Sequence, residues 1–391
     1  MSRKDLVSIN PNELKDFLNH IISNNRHLQE NGKGPVAVEV IGESGIGKTS
    51  SIIQLAEELD LNFVKLNLAQ IEEIGDLVGF PIRQFEVTDG ATVKYVDESA
   101  LEDVRTEGYK TTGKNRMSYC PPEWIANKAN GGILLLDDWN RADSRFIQAV
   151  MELIDRQQYI SWTLPKDWHI ILTANPDNGD YLVNSIDNAQ KTRFISVNLK
   201  FDMECWGKWA ENSDIDGRCI NFMLMNPELI NKEVNSRSAV MFFNSISSIK
   251  SFEDSLPLIQ MIGEGSVGSE FSSMFTMFIN NKLDKIISPQ NIMDQDEKYV
   301  LGTLKNIIGD NDKYRADIAS TISTRLVNYL ERYATDNKVE KITIERIKAL
   351  VKSDIFTKDI MFNMVKGIYN ANTKKYQMML MDKELSQLIL K

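Results

Sequence analysis

The sequence predicts an α/β chain: a three-layer αβα core on a five-stranded parallel sheet, followed by an all-helical region. Three observations predict it. An apolar, β-branched run, Val36-Ala37-Val38-Glu39-Val40-Ile41, leads into Gly42-Glu43-Ser44-Gly45-Ile46-Gly47-Lys48-Thr49, and Ile52, Ile53, Leu55, Ala56 and Leu59 follow at helical spacing. Ile133-Leu134-Leu135-Leu136 is a near-continuous apolar run, as in a strand buried on both faces, and it ends in Asp137-Asp138. From Phe201 onward the period changes, and apolar residues recur at helical spacing to the end of the chain.

The elements follow in order. Asn10 is a candidate helix cap and Pro11 suits the first helical position; Leu14, Phe17, Leu18, Ile21 and Ile22 then share one face. Asn31-Gly32-Lys33-Gly34-Pro35 ends that helix. After the glycine-rich turn and its helix, Asn62-Phe63-Val64-Lys65-Leu66 reads as a second strand. Ile71 to Pro81 reads as an unusual loop carrying apolar residues, among them Leu77 and Phe80. The stretch 83–119 is polar and lacks a sustained period, so it reads as an insertion or mobile loop. The strand 133–136 is the third; a helix from Asp143 to Asp155 follows it. Gln158–Trp162 and Trp168–Leu172 read as a hairpin joined at 163–167, whose second arm ends in Thr173-Ala174-Asn175-Pro176. Ile195-Ser196-Val197 is the last strand.

At 391 residues, the chain has room for about two or three domains, each with its own core. Hydrophobic residues make up 42% and charged residues 26%, ordinary values for a globular protein. A net charge of -10 argues against a chain whose main task is to coat nucleic acid. Cys120, Cys205 and Cys219 make no metal or redox pattern, and no apolar run is long enough to span a bilayer. The N-terminus lacks the apolar segment of a signal peptide, so a cytoplasmic location is expected.

The chemistry sits in two places. A strand, a glycine-rich turn and a helix form the context that a phosphate-binding loop requires. The glycines let backbone N–H groups turn onto phosphates, and the helix N-terminus adds partial positive charge. Gly42 through Ser50 are therefore the candidate nucleotide-binding residues, with Lys48 reaching β- and γ-phosphates. Thr49 and Asp137 are the candidate Mg²⁺ residues, the aspartate acting through water. Asp138 would orient or deprotonate the attacking water, and the amide of Asn175, just past a buried strand, could reach that water or the γ-phosphate.

The order of these parts resembles an AAA+ ATPase, within the P-loop NTPase fold, and is most like the MoxR-like and dynein-related (AAA_5) branch. Ile41 to Ser50, Asp76-Leu77-Val78-Gly79, Gly131 to Ala142, Leu172 to Asp177 and Ala189 to Phe194 carry the likeness. The resemblance implies that Asn175 is the sensor-1 residue and Arg193 an arginine finger acting on a neighbouring subunit's ATP. Arg237, in Ser236-Arg237-Ser238, is similar to a sensor-2 arginine on the lid. The expected organisation is an N-terminal helix and linker over 1–34, an ATPase core over 35–200, a helical lid over 201–290 and a C-terminal helical region over 291–391; the likeness is specific over about 35–200, and the last helices resemble no family. One departure stands out: that branch usually has Asp-Glu, an apolar residue and Asn-Arg-Ala, whereas this chain has Asp137-Asp138-Trp139-Asn140-Arg141-Ala142. Asp138 is one methylene shorter than glutamate, and small misplacement of a catalytic group can cost on the order of 10²-fold.

Three functions compete on this reading. The first is a ring-forming ATPase, expected to be a hexamer, that remodels a protein partner, with ATP and Mg²⁺ as cofactors. The resemblance points to a chaperone-like role beside von Willebrand factor A-type partners, with the loop near Leu77 and Phe80 as gripping surface. The second is a nucleic-acid motor or loader, disfavoured by the acidic charge and by a hairpin that offsets Lys166 with Asp167. The third is a slow-hydrolysing, nucleotide-switched scaffold.

Overall fold

The computed structural model describes residues 6–126, 128, 131–184, 186–231, 233–310 and 313–390. The chain divides into two compact units, Met1–Phe201 and Asp202–Lys391.

The first unit opens with strand β1 (Ser8–Ile9) and helix α1 (Pro11–Glu30). Asn10 caps α1 through a reciprocal box: its side chain accepts the Glu13 N–H, and the Glu13 carboxylate accepts the Asn10 N–H. Then come β2 (Ala37–Ile41), α2 (Lys48–Glu58), β3 (Asn62–Asn67) and the short α3 (Ile74–Val78). β4 (Phe80–Thr88), β5 (Val93–Asp97), α4 (Leu101–Thr106) and β6 (Lys110–Cys120) follow. β7 (Gly132–Asp137), α5 (Ser144–Arg156), β8 (Gln158–Tyr159), β9 (Trp162–Thr163), β10 (Trp168–Ala174), α6 (Asn188–Lys191) and β11 (Phe194–Leu199) complete the unit.

The main sheet has the order β1-β11-β2-β10-β7-β3, with every pair parallel. Alternate residues of its strands feed two different cores. Val38, Val40, Ile133, Leu135 and Ile171 pack with Leu14, Leu18 and Ile22 of α1 and Ile52 and Leu55 of α2. Leu134, Leu136, Ile170 and Leu172 pack with Phe146, Val150 and Ile154 of α5. This is the three-layer arrangement, and it explains the unbroken apolar runs: a strand between two helical layers has no wet face.

Four expectations are corrected. The sheet has six strands, because Ser8–Ile9 adds a parallel edge beside β11. Of the two readings of 83–119, the mobile loop is the one corrected: the stretch is folded into a three-stranded antiparallel sheet, β5-β4-β6. The 158–172 hairpin is shorter than expected: β8 pairs only with β9, and 168–174 is instead a central strand running parallel to β2 and β7. A run of seven buried residues explains this, since Trp168–Ala174 has no polar face to leave in water. Finally, Leu77 lies in α3 and is buried, so only Phe80 of the apolar pair is exposed.

The second unit is helical from α7 (Met203–Asn212) and α8 (Gly217–Met225) through α9 (Ser236–Ile246) and α10 (Leu256–Asn280), which kinks at Gly268. It continues with α11 (Pro289–Asp294), α12 (Glu297–Ile308), α13 (Ala316–Asp336), α14 (Lys341–Lys352), α15 (Lys358–Ala371) and α16 (Lys383–Ile389). Phe222, Phe242, Phe271 and Phe275 form an edge-to-face aromatic core, and the buried Arg325 of α13 is neutralised by Glu211 at 2.5 Å.

Candidate nucleotide site

The carboxyl ends of β2, β7 and β10 lie side by side, and each contributes one piece of the site. The loop after β2 turns through left-handed backbone at Gly45 and Gly47, with φ of 76° and 98°. α2 then starts just after Gly47 without a side-chain cap, the arrangement of a helix N-terminus that can receive an anion. Gly42 is sterically required as well, since a Cβ there would stand 2.8 Å from the Leu199 carbonyl oxygen.

Lys48 is buried and folds back over the loop. Its ammonium donates to the carbonyls of Gly42 at 2.7 Å and Glu43 at 3.0 Å, and to Asn175 Oδ1 at 3.2 Å. The Thr49 hydroxyl donates to Asp137 Oδ1 at 3.0 Å. The Thr173 hydroxyl donates to the same oxygen at 2.5 Å and accepts the Asp138 N–H at 3.0 Å, so one buried threonine fixes both acids. Lys65, one strand away, places Nζ 2.8 Å from Asp137 Oδ2. Burial pushes the Asp137 carboxyl up, but the bonds from Lys65, Thr173 and Thr49 outweigh it and hold the pKa below the usual carboxylate value. Asp137 is therefore ionised at neutral pH.

Asp138 leaves the strand in left-handed backbone, φ 51°, which turns its side chain out of the sheet pattern. Its Oδ1 accepts from Asn175 Nδ2 at 3.1 Å, and Arg141 Nη1 lies 3.7 Å from Oδ2. Lys48, Asn175 and Asp138 thus form one connected chain.

Five residues expected from the sequence converge here: Lys48, Thr49, Asp137, Asp138 and Asn175. Two others lie elsewhere in the chain's contacts. Arg193, just before β11, has Nε 3.1 Å from Asp155 Oδ2 of α5. Arg237 sits in the first turn of α9 in the second unit, whose cap is Asn235. Sequence reasoning missed Tyr181, whose hydroxyl accepts the Ser44 N–H at 3.1 Å and donates to Glu43 Oε2 at 2.6 Å. It missed Lys65 as well. Lys65 was legible as a charged residue inside an otherwise apolar strand core, Phe63-Val64-Lys65-Leu66; Tyr181 lies in an irregular segment with no period to mark it.

Residues 37–194 match the AAA domain of the dynein-related subfamily. This stretch is an AAA domain. The glycine-rich loop, the two acids at the end of β7 and Asn175 all lie within it. No curated protein matches the chain. Among solved structures, the RuvB Holliday junction branch migration motor of Thermotoga maritima is similar at 16% identity and TM-score 0.35, over 76% of each chain. A proline-to-glycine mutant of the same protein is similar at 14% identity and TM-score 0.35, over 75% of this chain and 77% of its own. Likenesses this loose carry no argument about what this chain does.

The AAA domain implies a nucleotide with Mg²⁺, and the residues present fit the metal. A hydroxyl and an ionised carboxylate 3.0 Å apart are hard oxygen donors of the kind Mg²⁺ takes together with phosphate oxygens and water. Among the described residues, no group of three or more His, Cys, Asp and Glu is placed to hold a metal by itself. No described helix is long and apolar enough to cross a membrane.

Proposed function

We propose that this chain binds and hydrolyses ATP as one subunit of a ring, and that the ring remodels a protein partner. The observation that supports hydrolysis is the connected set of Lys48, Asn175 and Asp138 beside the Thr49–Asp137 pair. In this reading Lys48 leaves its carbonyl partners for the β- and γ-phosphates. Bound Mg²⁺, held by Thr49 and through water by Asp137, would neutralise charge on the same phosphates. Asn175 points its amide at the attacking water or the γ-phosphate. Asp138 accepts the water's proton as the new P–O bond forms and the bond to the β-phosphate oxygen breaks, releasing ADP and phosphate.

Arg193 is read as the finger that a neighbouring subunit supplies, and Arg237 as a second arginine directed at nucleotide. The partner surface is read as the β4–β6 sheet, where Phe80, Val93 and Met117 are exposed. The resemblance suggests a von Willebrand factor A-type partner.

The test is phosphate release from Mg-ATP alongside nucleotide titration. Lys48→Ala is expected to abolish or severely weaken nucleotide binding. Asp138→Asn is expected to keep binding and lose hydrolysis by on the order of 10²-fold or more. Undiminished affinity in Lys48→Ala would remove the phosphate-loop assignment, and unchanged turnover in Asp138→Asn would remove Asp138 as the base.

A further inference from the structure

β10 pairs with β7 only as far as Leu172 and Leu136, because β7 ends where Asp138 turns into left-handed backbone. On its other side β10 keeps its partner to Ala174, opposite Ile41 of β2. Asn175, next in line, therefore stands past the last rung, with one side of its backbone facing space that β7 has vacated. Asn140 fills that space. It lies in the one-turn 3₁₀ helix Trp139–Arg141 and is fully buried. Its Nδ2 donates to the Asn175 carbonyl at 2.8 Å, and its Oδ1 accepts the Asn175 N–H at 3.2 Å. A side-chain amide presents an N–H donor and a C=O acceptor side by side, as a neighbouring strand does, so it can stand in for a missing rung. The Asn140 carbonyl in turn accepts the Asn184 N–H at 2.8 Å, which braces the turn from behind.

We infer that Asn140 is a positioning residue: it replaces the lost rung of the sheet and so sets where the Asn175 amide stands between Lys48 and Asp138. The inference rests on the hydrolytic reading above. Asn175 touches both ends of the site, at 3.2 Å to Lys48 and 3.1 Å to Asp138. On the β7 side, Asn140 bonds both the carbonyl and the N–H of the Asn175 backbone. Without Asn140, the Asn175 backbone would have two buried polar groups facing a cavity.

Two readings test this on the full chain. Amide hydrogen exchange of the nucleotide-free protein measures the clamp without any turnover. Asn140→Ala is expected to speed exchange at Asn175 roughly fivefold or more, as loss of one net hydrogen bond implies, with Ile171 unchanged. Steady-state kinetics then measures its consequence: kcat is expected to fall roughly 10²-fold while nucleotide affinity stays near that of the parent chain. The double variant Asn140→Ala with Asn175→Ala should be no slower than Asn175→Ala alone, because positioning has no object once the amide is gone. Asn140→Asp keeps the volume and turns the donor into a second acceptor facing the Asn175 carbonyl. It is expected to behave like the alanine variant, and it carries the test where alanine does not fold.

Unchanged exchange at Asn175 would overturn the inference, and so would an aspartate variant with full turnover or a double variant whose losses multiply. A chain that shows the exchange change but releases no phosphate under any condition would instead overturn the hydrolytic reading and leave the clamp standing.

Discussion

Tyr181 bonds an amide of the glycine-rich loop. Its hydroxyl accepts the Ser44 N–H and donates to Glu43, with Asn178 Nδ2 3.5 Å from the same carboxylate. Burial, followed by the bond to Glu43, raises the Tyr181 pKa, so the hydroxyl keeps its proton at neutral pH. A loop amide bonded to tyrosine must be released before it can serve a nucleotide. Tyr181→Phe is therefore expected to tighten nucleotide binding by roughly fivefold, the equivalent of about 1 kcal/mol for one net hydrogen bond. Titration with a fluorescent nucleotide measures it, and weaker binding in the variant would mean that the hydroxyl helps hold the nucleotide. The residues that were legible in the sequence, Lys48, Thr49, Asp137 and Asp138, sit at fixed offsets from a glycine-rich turn or a strand end. Tyr181 and Ser44 are 137 positions apart, and only the fold brings them together.

At the scale of elements, the sequence shows whatever is written as a period. The three central strands, β2, β7 and β10, show it most clearly because they are buried along their whole length between two helical layers. β6 does not: nearly every residue from Lys110 to Cys120 is exposed, and the strand is held by its backbone ladder to β4. Backbone pairing leaves no mark in a run such as Lys110-Thr111-Thr112-Gly113-Lys114, which explains why 83–119 reads as a loop. β1 is two residues long and carries no period either. β10 carries a different kind of information. His169 lies in it, 2% exposed, and burial lowers its pKa from 6.5 to about 4, with Arg26 adding repulsion and Asp167 opposing it. The folded pKa is below the unfolded one, so the unfolded chain takes up the proton first as pH falls. Stability is thus full above pH 6.5 and declines toward about 4, by roughly 3 kcal/mol over the whole window. Denaturant unfolding of the parent chain and of His169→Gln should diverge in slope across that window alone. Parallel curves would show that His169 is not the group responsible.

At the scale of the whole molecule, what matters is whether one chain is a complete catalyst. The pocket residues Lys48, Asp138 and Asn175 meet within one chain, whereas Arg193 is engaged with Asp155 on its own surface. Both partners of that pair are more than a third exposed, at 36% and 39%, and such pairs contribute about 0–1 kcal/mol. Arg193 can therefore leave Asp155 for another subunit's nucleotide at little cost. If it does so, two dead variants become complementary. Arg193→Ala keeps its own pocket but offers no finger, and Asp138→Asn offers a finger but has no base. Each alone should be slow, the arginine variant by roughly 10³–10⁵-fold if the finger acts as in other phosphoryl-transfer enzymes. In a ring of head-to-tail contacts assembled from equal parts of both, roughly a quarter of the interfaces pair an intact pocket with an intact finger. Mixing should then restore phosphate release toward about a quarter of the parent rate, rising and falling with the ratio of the two chains. Recovery that is absent while native mass measurement shows mixed assemblies would place the Arg193 role within its own chain, at the pair with Asp155.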